Sequence, residues 1–160
     1  MPPARSVPDP DPTGELSIEH AHPRLRVDEA LLEGLVRHVV AHENGRLRTL
    51  TVVLADHETV LELNRAYLDH DYHTDVLSFS LADEDEPGLV DGEVYVDLDT
   101  AAERHDEFGS SFEEEACRYV VHGLLHLLGY DDATGEGKSA MHLLEDRYLA
   151  AARQGFQSGL

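Results

Sequence analysis

Two histidines and an aspartate that follows them closely carry the clearest chemical signal in the chain. Residues 122–132 read His-Gly-Leu-Leu-His-Leu-Leu-Gly-Tyr-Asp-Asp. On a helix, His122 and His126 lie on one face, so that both imidazoles can reach one ion. Gly129 then permits a sharp turn that returns Asp132 to the same ion. The spacing predicts a three-ligand metal site with an open position, where the ion lowers the pKa of a water molecule and yields a nucleophile near neutral pH.

A pair of histidines alone would be weak evidence, because such pairs also occur on helix surfaces and as satisfied core residues. Here the surrounding helix is apolar, and an unpaired imidazole is costly to bury there. Gly129 and Asp132 also repeat the layout of zinc hydrolases, which place a third ligand at this spacing. Asp131 is the rival third ligand, but the spacing from His122 favours Asp132. One Zn²⁺ per chain suits this ligand set, and nickel, iron and manganese remain alternatives.

The residue after the first histidine bears on the substrate. Peptide-cleaving zinc enzymes place a glutamate there as general base. This chain has Gly123 at that position. The segment therefore lacks the usual proton acceptor of peptide hydrolysis.

The remaining sequence predicts an α+β fold, with a mixed sheet of about four strands packed against helices. Apolar spacing predicts helices at 27–42, 57–68, 100–107, 111–128 and 136–153, and strands at 15–20, 48–55, 76–81 and 92–98. Asp28, Asp56 and the Ser111–Glu114 capping box mark helix starts. The helix at 111–128 is apolar on nearly every side, so we expect it to be central, buried and the carrier of the metal ligands. We expect one domain at 15–153, a disordered tail at 1–14 and a loose tail at 154–160.

The composition is strongly acidic. The chain has 12 Lys and Arg against 33 Asp and Glu, a formal net charge of −21, and Lys138 as its only lysine. Such a surface repels phosphate at low salt, which taken alone argues against an enzyme of nucleic acids. We favour a second interpretation, adaptation to a salty cytoplasm, because the Debye length falls to about 3 Å near 1 M salt.

Cysteine content and hydropathy bear on the compartment. Cys117 is the only cysteine, so no disulfide forms within the chain. No apolar run approaches the roughly 18 residues of a membrane span, and the N-terminus lacks the apolar core of a secretion signal. We expect a cytoplasmic protein without a membrane partner.

Residues 122–132 resemble the signature of the YbeY family of metal-dependent endoribonucleases. Two further blocks resemble the family and stand in its order: residues 63–67, 71 and 74–79, and residues 92–96. The resemblance implies a single-strand-specific endoribonuclease in maturation of the small-subunit ribosomal RNA 3′ end and in ribosome quality control. It implies ribosomal RNA and the small ribosomal subunit as partners, rather than DNA.

The chain departs from the family pattern at two positions. Asp132 stands where the family usually has a third histidine, and Leu68 stands where it usually has an arginine. Arg65, one helical turn earlier, and Arg118, one turn before His122, are candidate replacements for that arginine, although both also fit an ordinary surface role.

Two polar residues of the second block are further site candidates. Asp75 and Ser78 are expected to line the catalytic cleft, although a turn role for Asp75 and an outward-facing Ser78 stay open. His70 and His73 are interpreted as loop residues rather than ligands.

Two other functions stay open at this stage. One is a metal-dependent hydrolase of peptides or amides, against which Gly123 counts. The other is a non-catalytic ribosome-assembly factor with a structural metal, which Leu68 favours.

Overall fold

The computed structural model describes residues 14–68 and 75–157. The strands are β1 (Glu15–His20), β2 (Arg46–Ala55), β3 (Val76–Ser80) and β4 (Leu89–Asp97). The helices are α1 (Glu29–His42), α2 (His57–Leu68), α3 (Leu98–Arg104), α4 (Phe112–Leu127) and α5 (Gly135–Gln157), with a short 3-10 helix at His105–Phe108. The predicted N-terminal tail up to residue 13, and His70 and His73, lie outside the described residues.

The strands form one mixed sheet in the order β1-β2-β4-β3. β1 pairs with β2 and β2 with β4 in parallel, whereas β3 pairs with β4 in antiparallel fashion. Parallel neighbours need a crossover, which α1 supplies between β1 and β2. The predicted α+β fold with a mixed four-stranded sheet is confirmed.

The two faces of the sheet bury separate apolar clusters, as alternation along β2 requires. Val52 and Leu54 belong to the larger core, which also takes side chains from α1, α4 and α5. Val53 and Ala55 point the other way and pack with Val60 of α2. Burying one such aliphatic side chain contributes about 1.5–3 kcal/mol, so the larger core dominates the stability.

Helix α4 lies very close to the sheet, and Gly123 makes this approach possible. A Cβ at position 123 would lie 2.7 Å from Val94 Cγ1 and 3.0 Å from Val76 Cγ2. Any larger residue would push the helix off β3 and β4. The helix that carries both histidines is therefore packed closely against β4 and the edge strand β3.

Short side chains set the starts of the helices where the sequence predicts them. Asp28 Oδ1 accepts a hydrogen bond from the backbone N–H of Ala30 at 2.9 Å. Asp56 Oδ1 accepts one from Thr59 at 2.9 Å, and Ser111 forms the expected capping box. Each cap contributes about 1 kcal/mol.

Several boundaries differ from the predicted ones: α1 begins at Glu29 rather than at 27, α3 ends at Arg104 rather than at 107, and β4 begins at Leu89 rather than at 92. α3 begins at Leu98, two residues before the predicted start, because Asp97 ends β4 and accepts the N–H of Thr100 at 2.9 Å. α5 continues to Gln157, beyond the predicted end at 153. None of the helices within the described residues combines the length and hydropathy of a membrane crossing.

His57 joins the start of α2 to the start of α3. Its ring Nδ1 lies 2.7 Å from Oδ2 of Asp97, whose side chain is fully buried, and its backbone N–H donates to Asp99 at 2.9 Å. The hydrogen bond to Asp97 raises the pKa of His57, and partial burial opposes this only in part. Protonation of His57 is therefore coupled to folding.

We expect His57→Gln to lower the free energy of unfolding more in acid than in alkali. A folded-state pKa above the unfolded value gives stability that is fully present below about pH 6.5 and is lost as pH rises through the folded-state pKa. Urea unfolding at about pH 5.5 and about pH 9 measures the difference. Glu58→Gln, an exposed neighbour, serves as control. An equal loss for His57→Gln at both values would contradict the coupling.

Candidate metal centre

The turn that ends α4 returns the chain toward the two histidines. Gly129 has φ 109°, a left-handed conformation that favours glycine. Its N–H donates to the carbonyl of His126 at 3.0 Å, and the N–H of Tyr130 donates to that of Leu125 at 3.0 Å. These two bonds form a Schellman motif, which satisfies the last carbonyls of the helix. The chain after Gly129 therefore runs back along the histidine face.

Three side chains bring their donor atoms together where this returning segment meets the helix. His122 Nε2 and His126 Nε2 lie 3.2 Å apart. Asp132 Oδ2 lies 3.4 Å from His122 Nε2, and Asp132 Oδ1 lies 3.5 Å from His126 Nε2. His122, His126 and Asp132 thus form a candidate cluster for one metal ion. All three side chains are partly exposed, so the cluster is open to solvent on one side.

The other nitrogen of each imidazole is fixed by an acceptor. His122 Nδ1 lies 2.7 Å from Oε2 of Glu145, and His126 Nδ1 lies 3.1 Å from the carbonyl oxygen of Tyr130. A carbonyl only accepts hydrogen bonds, so Nδ1 of His126 carries the proton, and the carboxylate imposes the same tautomer on His122. In each neutral ring the lone pair of Nε2 therefore faces the cluster.

This donor set fits a divalent cation. Without a positive charge among them, two nitrogen lone pairs and a carboxylate at these distances repel one another. With metal–ligand bonds of about 2.0–2.1 Å, two ligands of a tetrahedral ion stand about 3.3 Å apart. The separation of the two imidazole nitrogens, and the distance from each nitrogen to the nearer carboxylate oxygen of Asp132, are close to that edge length. The residues fit the ion that the sequence predicts.

The electrostatic field at His122 also favours a positive charge. Burial lowers the pKa of His122, but the hydrogen bond to Glu145 and the charges of Asp132 and Asp75 outweigh burial and leave the pKa raised. The same carboxylates would attract a metal cation.

Glu145 supports the centre from α5, and the sequence analysis missed it. It is only 2% exposed, and its second oxygen, Oε1, accepts from Arg118 at 3.1 Å. Arg118 also binds Asp146 of α5 at 2.7 Å. The sequence did offer one indication of its burial, because Glu145 lies four residues after Met141 and three before Tyr148, on the apolar face of the helix. A buried acid on such a face needs partners, which here are an arginine and a metal-site histidine.

Glu43, at the end of α1, holds the returning loop. The hydroxyl of Tyr130 donates to Glu43 Oε1 at 2.6 Å, and the hydroxyl of Tyr148 donates to the other oxygen. Tyr130 is the residue whose carbonyl orients His126. Glu43 thus anchors the residue whose carbonyl orients His126.

A cleft of about 630 Å³ opens beside the donor cluster. It is lined by Asp75, Val76, Arg104, Glu115, Arg118, Tyr119, His122, Asp132, Lys138, Met141, His142, Glu145 and Asp146. Of the two polar residues expected to line a cleft, Asp75 does so, with Arg104 Nη1 4.0 Å from its carboxylate. Ser78 does not: its hydroxyl donates to the carbonyl of Gly123 at 2.8 Å, on the sheet side of α4.

The two candidate arginines occupy different places. Arg118 lies in the cleft, but its guanidinium is held by Glu145 and Asp146. Arg65 is exposed on α2 and does not line this cleft. The backbone of Leu68 ends α2, and the position of its side chain is not described.

Comparison with known proteins agrees with this architecture. A model of the family described as Endoribonuclease YbeY matches residues 17–153. A protein of Salinibacter ruber named Endoribonuclease YbeY is 58% identical over 85% of this chain and 90% of its own length. A protein of the same name from Chlorobaculum tepidum is 40% identical over 79% of this chain and 90% of its own length.

A solved structure shares the fold as well. The solution structure of TM1509 from Thermotoga maritima has a TM-score of 0.61 and 31% sequence identity, and the match covers 89% of this chain and 92% of the other. The family model and the relatives together cover most of the chain, including the helix and the turn that carry the three donors. The chain belongs to the endoribonuclease YbeY family.

Proposed function

We propose that this protein is a metal-dependent endoribonuclease that cuts single-stranded RNA, with His122, His126 and Asp132 as its metal ligands. The observation that carries the proposal is the convergence of two oriented imidazole nitrogens and one carboxylate group, at 3.2–3.5 Å from one another, beside an open cleft. Membership of the endoribonuclease family supports the reaction class. A bound ion supplies an activated water and offsets charge on a phosphate.

We propose Zn²⁺, one per chain, as the resident ion. Two imidazole nitrogens and one carboxylate oxygen are common zinc ligands, and three protein ligands leave a position open for chemistry. Asp132 makes the site more negative than a third histidine would, so harder divalent ions compete better than at a three-histidine site.

The side chains of the protein have distinct tasks in this proposal. Glu145 keeps His122 in the Nδ1–H tautomer, and the Tyr130 carbonyl does the same for His126, so neither ring must reorient. Asp75 lines the cleft without belonging to the ligand set, which makes it the candidate proton acceptor. Ser78 takes a positioning role, because its bond to Gly123 ties the middle of α4 to β3.

We extend the proposal to ribosomal RNA, with maturation of the small-subunit 3′ end and ribosome quality control as the setting. Resemblance to the family supports this step, and the named relatives support RNA as the substrate class. We propose accordingly that the protein acts in the cytoplasm, with the small ribosomal subunit as its partner. The acidic surface then requires salt to screen its repulsion from RNA.

The peptidase alternative meets a steric obstacle as well as a chemical one. A glutamate at position 123 would place its Cβ 2.7 Å from Val94. The sheet thus excludes a general base where peptide-cleaving zinc enzymes carry it. An assembly factor with a structural metal remains the second candidate, favoured by Leu68 at the position of the usual arginine.

Zinc-loaded protein should cut a single-stranded ribosomal RNA fragment and leave casein intact. The assay is run at low and at high KCl, because screening of the net charge of −21 should increase RNA cleavage. Chelation of the metal should abolish cleavage, and restored zinc should restore it. Casein cleavage would contradict the nuclease proposal. Stoichiometric zinc with neither substrate cut at any salt would favour the assembly factor.

Glu145→Gln should weaken zinc affinity about tenfold, because the neutral amide no longer raises the basicity of His122. Competition with a chromophoric chelator measures the affinity. Asp146→Asn is the matched control: Asp146 also binds Arg118 and loses the same charge, but it is 65% exposed and does not contact a histidine ligand. Equal weakening in both variants would show that general charge, rather than orientation of His122, sets the affinity.

A further inference from the structure

The carboxyl ends of the three parallel strands carry a hydrogen-bonded network that the metal centre does not use. His22, His57 and Asp99 each lie two residues beyond the end of one of these strands, β1, β2 and β4. A crevice of about 890 Å³ opens there, and Arg24 and His57 are among the residues that line it. We propose that Arg24 and His57 form a subsite that binds a phosphate of the RNA strand away from the cleavage position. This inference rests on the proposed nuclease function and specifies how far its substrate extends.

The position of the crevice follows from the topology of the sheet. The connection after β1 forms α1, which packs in the larger core, whereas the connection after β2 begins with α2, which packs on the other face. Helices that leave neighbouring parallel strands toward opposite faces open a crevice at the carboxyl ends of those strands, and ligands of open sheets bind in such crevices. This crevice also adjoins the metal cleft, because Arg104 lines both. An RNA strand bound at the metal centre can therefore continue past Arg104 into it.

Buried charged groups hold the lining of the crevice in place. Asp97, whose side chain is fully buried, binds Nδ1 of His57 at 2.7 Å. The side chain of His22 is only 1% exposed, and its Nδ1 accepts two backbone N–H groups, of which that of Arg24 lies at 3.0 Å. Its Nε2–H therefore donates to Asp99, at 2.8 Å, and Asp99 also accepts the backbone N–H of His57 at 2.9 Å. This series of bonds fixes the backbone of Arg24 relative to the ring of His57.

The ring of His57 presents its second nitrogen on the side away from Asp97. The side chain is 45% exposed and lines the crevice. The hydrogen bond to Asp97 raises the pKa of His57; burial opposes this, and the charges of Asp97, Asp99 and Glu103 add to it. In the protonated ring both nitrogens donate, Nδ1 to Asp97 and Nε2 on the other side. His57 therefore offers the crevice a cationic donor over a wider pH range than an ordinary histidine.

Arg24 supplies the second positive charge of the subsite. It is exposed, and among the described residues it forms no ion pair with a carboxylate. Burial raises the pKa of Asp99, but the bonds from His22 and His57 and the charge of Arg24 outweigh burial and leave the pKa lowered. Arg24 thus lies close enough to act on Asp99, the residue that binds the backbone of His57.

The chemistry of the two groups selects the ligand. A guanidinium and a protonated imidazole both donate hydrogen bonds and carry positive charge, so the ligand must present anionic acceptors, as a phosphodiester does. A cation finds less support, because both oxygens of Asp99 already accept hydrogen bonds within the protein. Glu103 also lines the crevice and disfavours an anion on its own side. The favourable place for a phosphate is therefore between Arg24 and His57.

Arg24→Gln tests the subsite through the length of the substrate. With zinc-loaded full-length protein and a long single-stranded ribo-oligonucleotide, kcat/KM should fall about tenfold, mostly through KM. The slope of log(kcat/KM) against log[KCl] should become shallower by about 0.7, the value for one phosphate contact on a single strand. A dinucleotide occupies only the metal centre, so its cleavage should not change.

Arg26→Gln is the matched control for this substitution. Arg26 is also exposed and lies two residues away, but it does not line the crevice. It should preserve kcat/KM and the salt slope for the long strand. Equal effects of the two substitutions, or an equal loss on the dinucleotide, would overturn the assignment.

The ring of His57 provides a readout that does not depend on cleavage. Two-dimensional NMR of the histidine side chains follows its titration, and the signal is assigned by its absence from His57→Gln. Single-stranded RNA, added to full-length protein from which zinc has been removed, should raise the pKa of His57, because a bound phosphate stabilises the protonated ring. Inorganic phosphate at the same concentration of phosphate groups should have little effect.

The possible results separate the subsite from the nuclease function. A raised pKa of His57 with RNA, together with no cleavage by the zinc-loaded protein, would support the subsite while contradicting the nuclease. Cleavage by the wild type with an unchanged pKa of His57 would contradict the subsite alone and leave His57 as a residue that only joins two helix starts. An equal response to inorganic phosphate would contradict the binding of a strand.

Discussion

Two imidazole nitrogens and a carboxylate face one another at 3.2–3.5 Å, and a cation is what makes this arrangement favourable. Much of the fold serves to hold them there. Gly123 lets α4 lie against the sheet, Gly129 reverses the chain, and Glu145 fixes the first ring from α5. The centre is thus assembled from one helix, one turn and one supporting helix, and the supporting contacts orient its ligands.

Because the chain is strongly acidic, the few cations near the metal centre matter for the binding of an anionic substrate. Arg118 forms ion pairs with Glu145 and Asp146 and so connects α4 to α5. Its guanidinium is therefore not free to bind a substrate, and its role is to support Glu145, which orients His122. In the proposed function, a bound ion would therefore be the main positive charge that an incoming phosphate meets, in contrast to the broad basic surface of many nucleic-acid enzymes.

Local signals in the sequence predicted local structure well. Asp28, Asp56 and Ser111 cap helices through bonds to residues two or three positions away, so short motifs suffice to locate them. The convergence of His122, His126 and Asp132 was predictable for the same reason, because one helix face and one glycine turn determine it. The start of α3 was missed because Asp97 reads as the end of a strand when its capping bond is not visible.

Contacts between distant segments could not be predicted from one sequence. Glu145 reaches His122 across 23 positions, and the Ser78 bond to Gly123 spans 45. The order β1-β2-β4-β3 depends on which strands pair after the crossovers, which periodicity does not encode. The burial of Tyr119 likewise depends on how α4 packs against the rest of the fold, although its position on a helix was evident from the sequence.

The most direct test of this account is the zinc content of the wild type, Asp132→Ala and Asp131→Ala, purified without a histidine tag and measured by elemental analysis after dialysis. Asp131 is the matched control, because it is exposed and its carboxylate caps the backbone N–H of Ala133 at 2.9 Å. The account predicts one zinc per chain in the wild type and in Asp131→Ala, and little or none in Asp132→Ala. Full zinc occupancy in Asp132→Ala, with loss in Asp131→Ala, would contradict it.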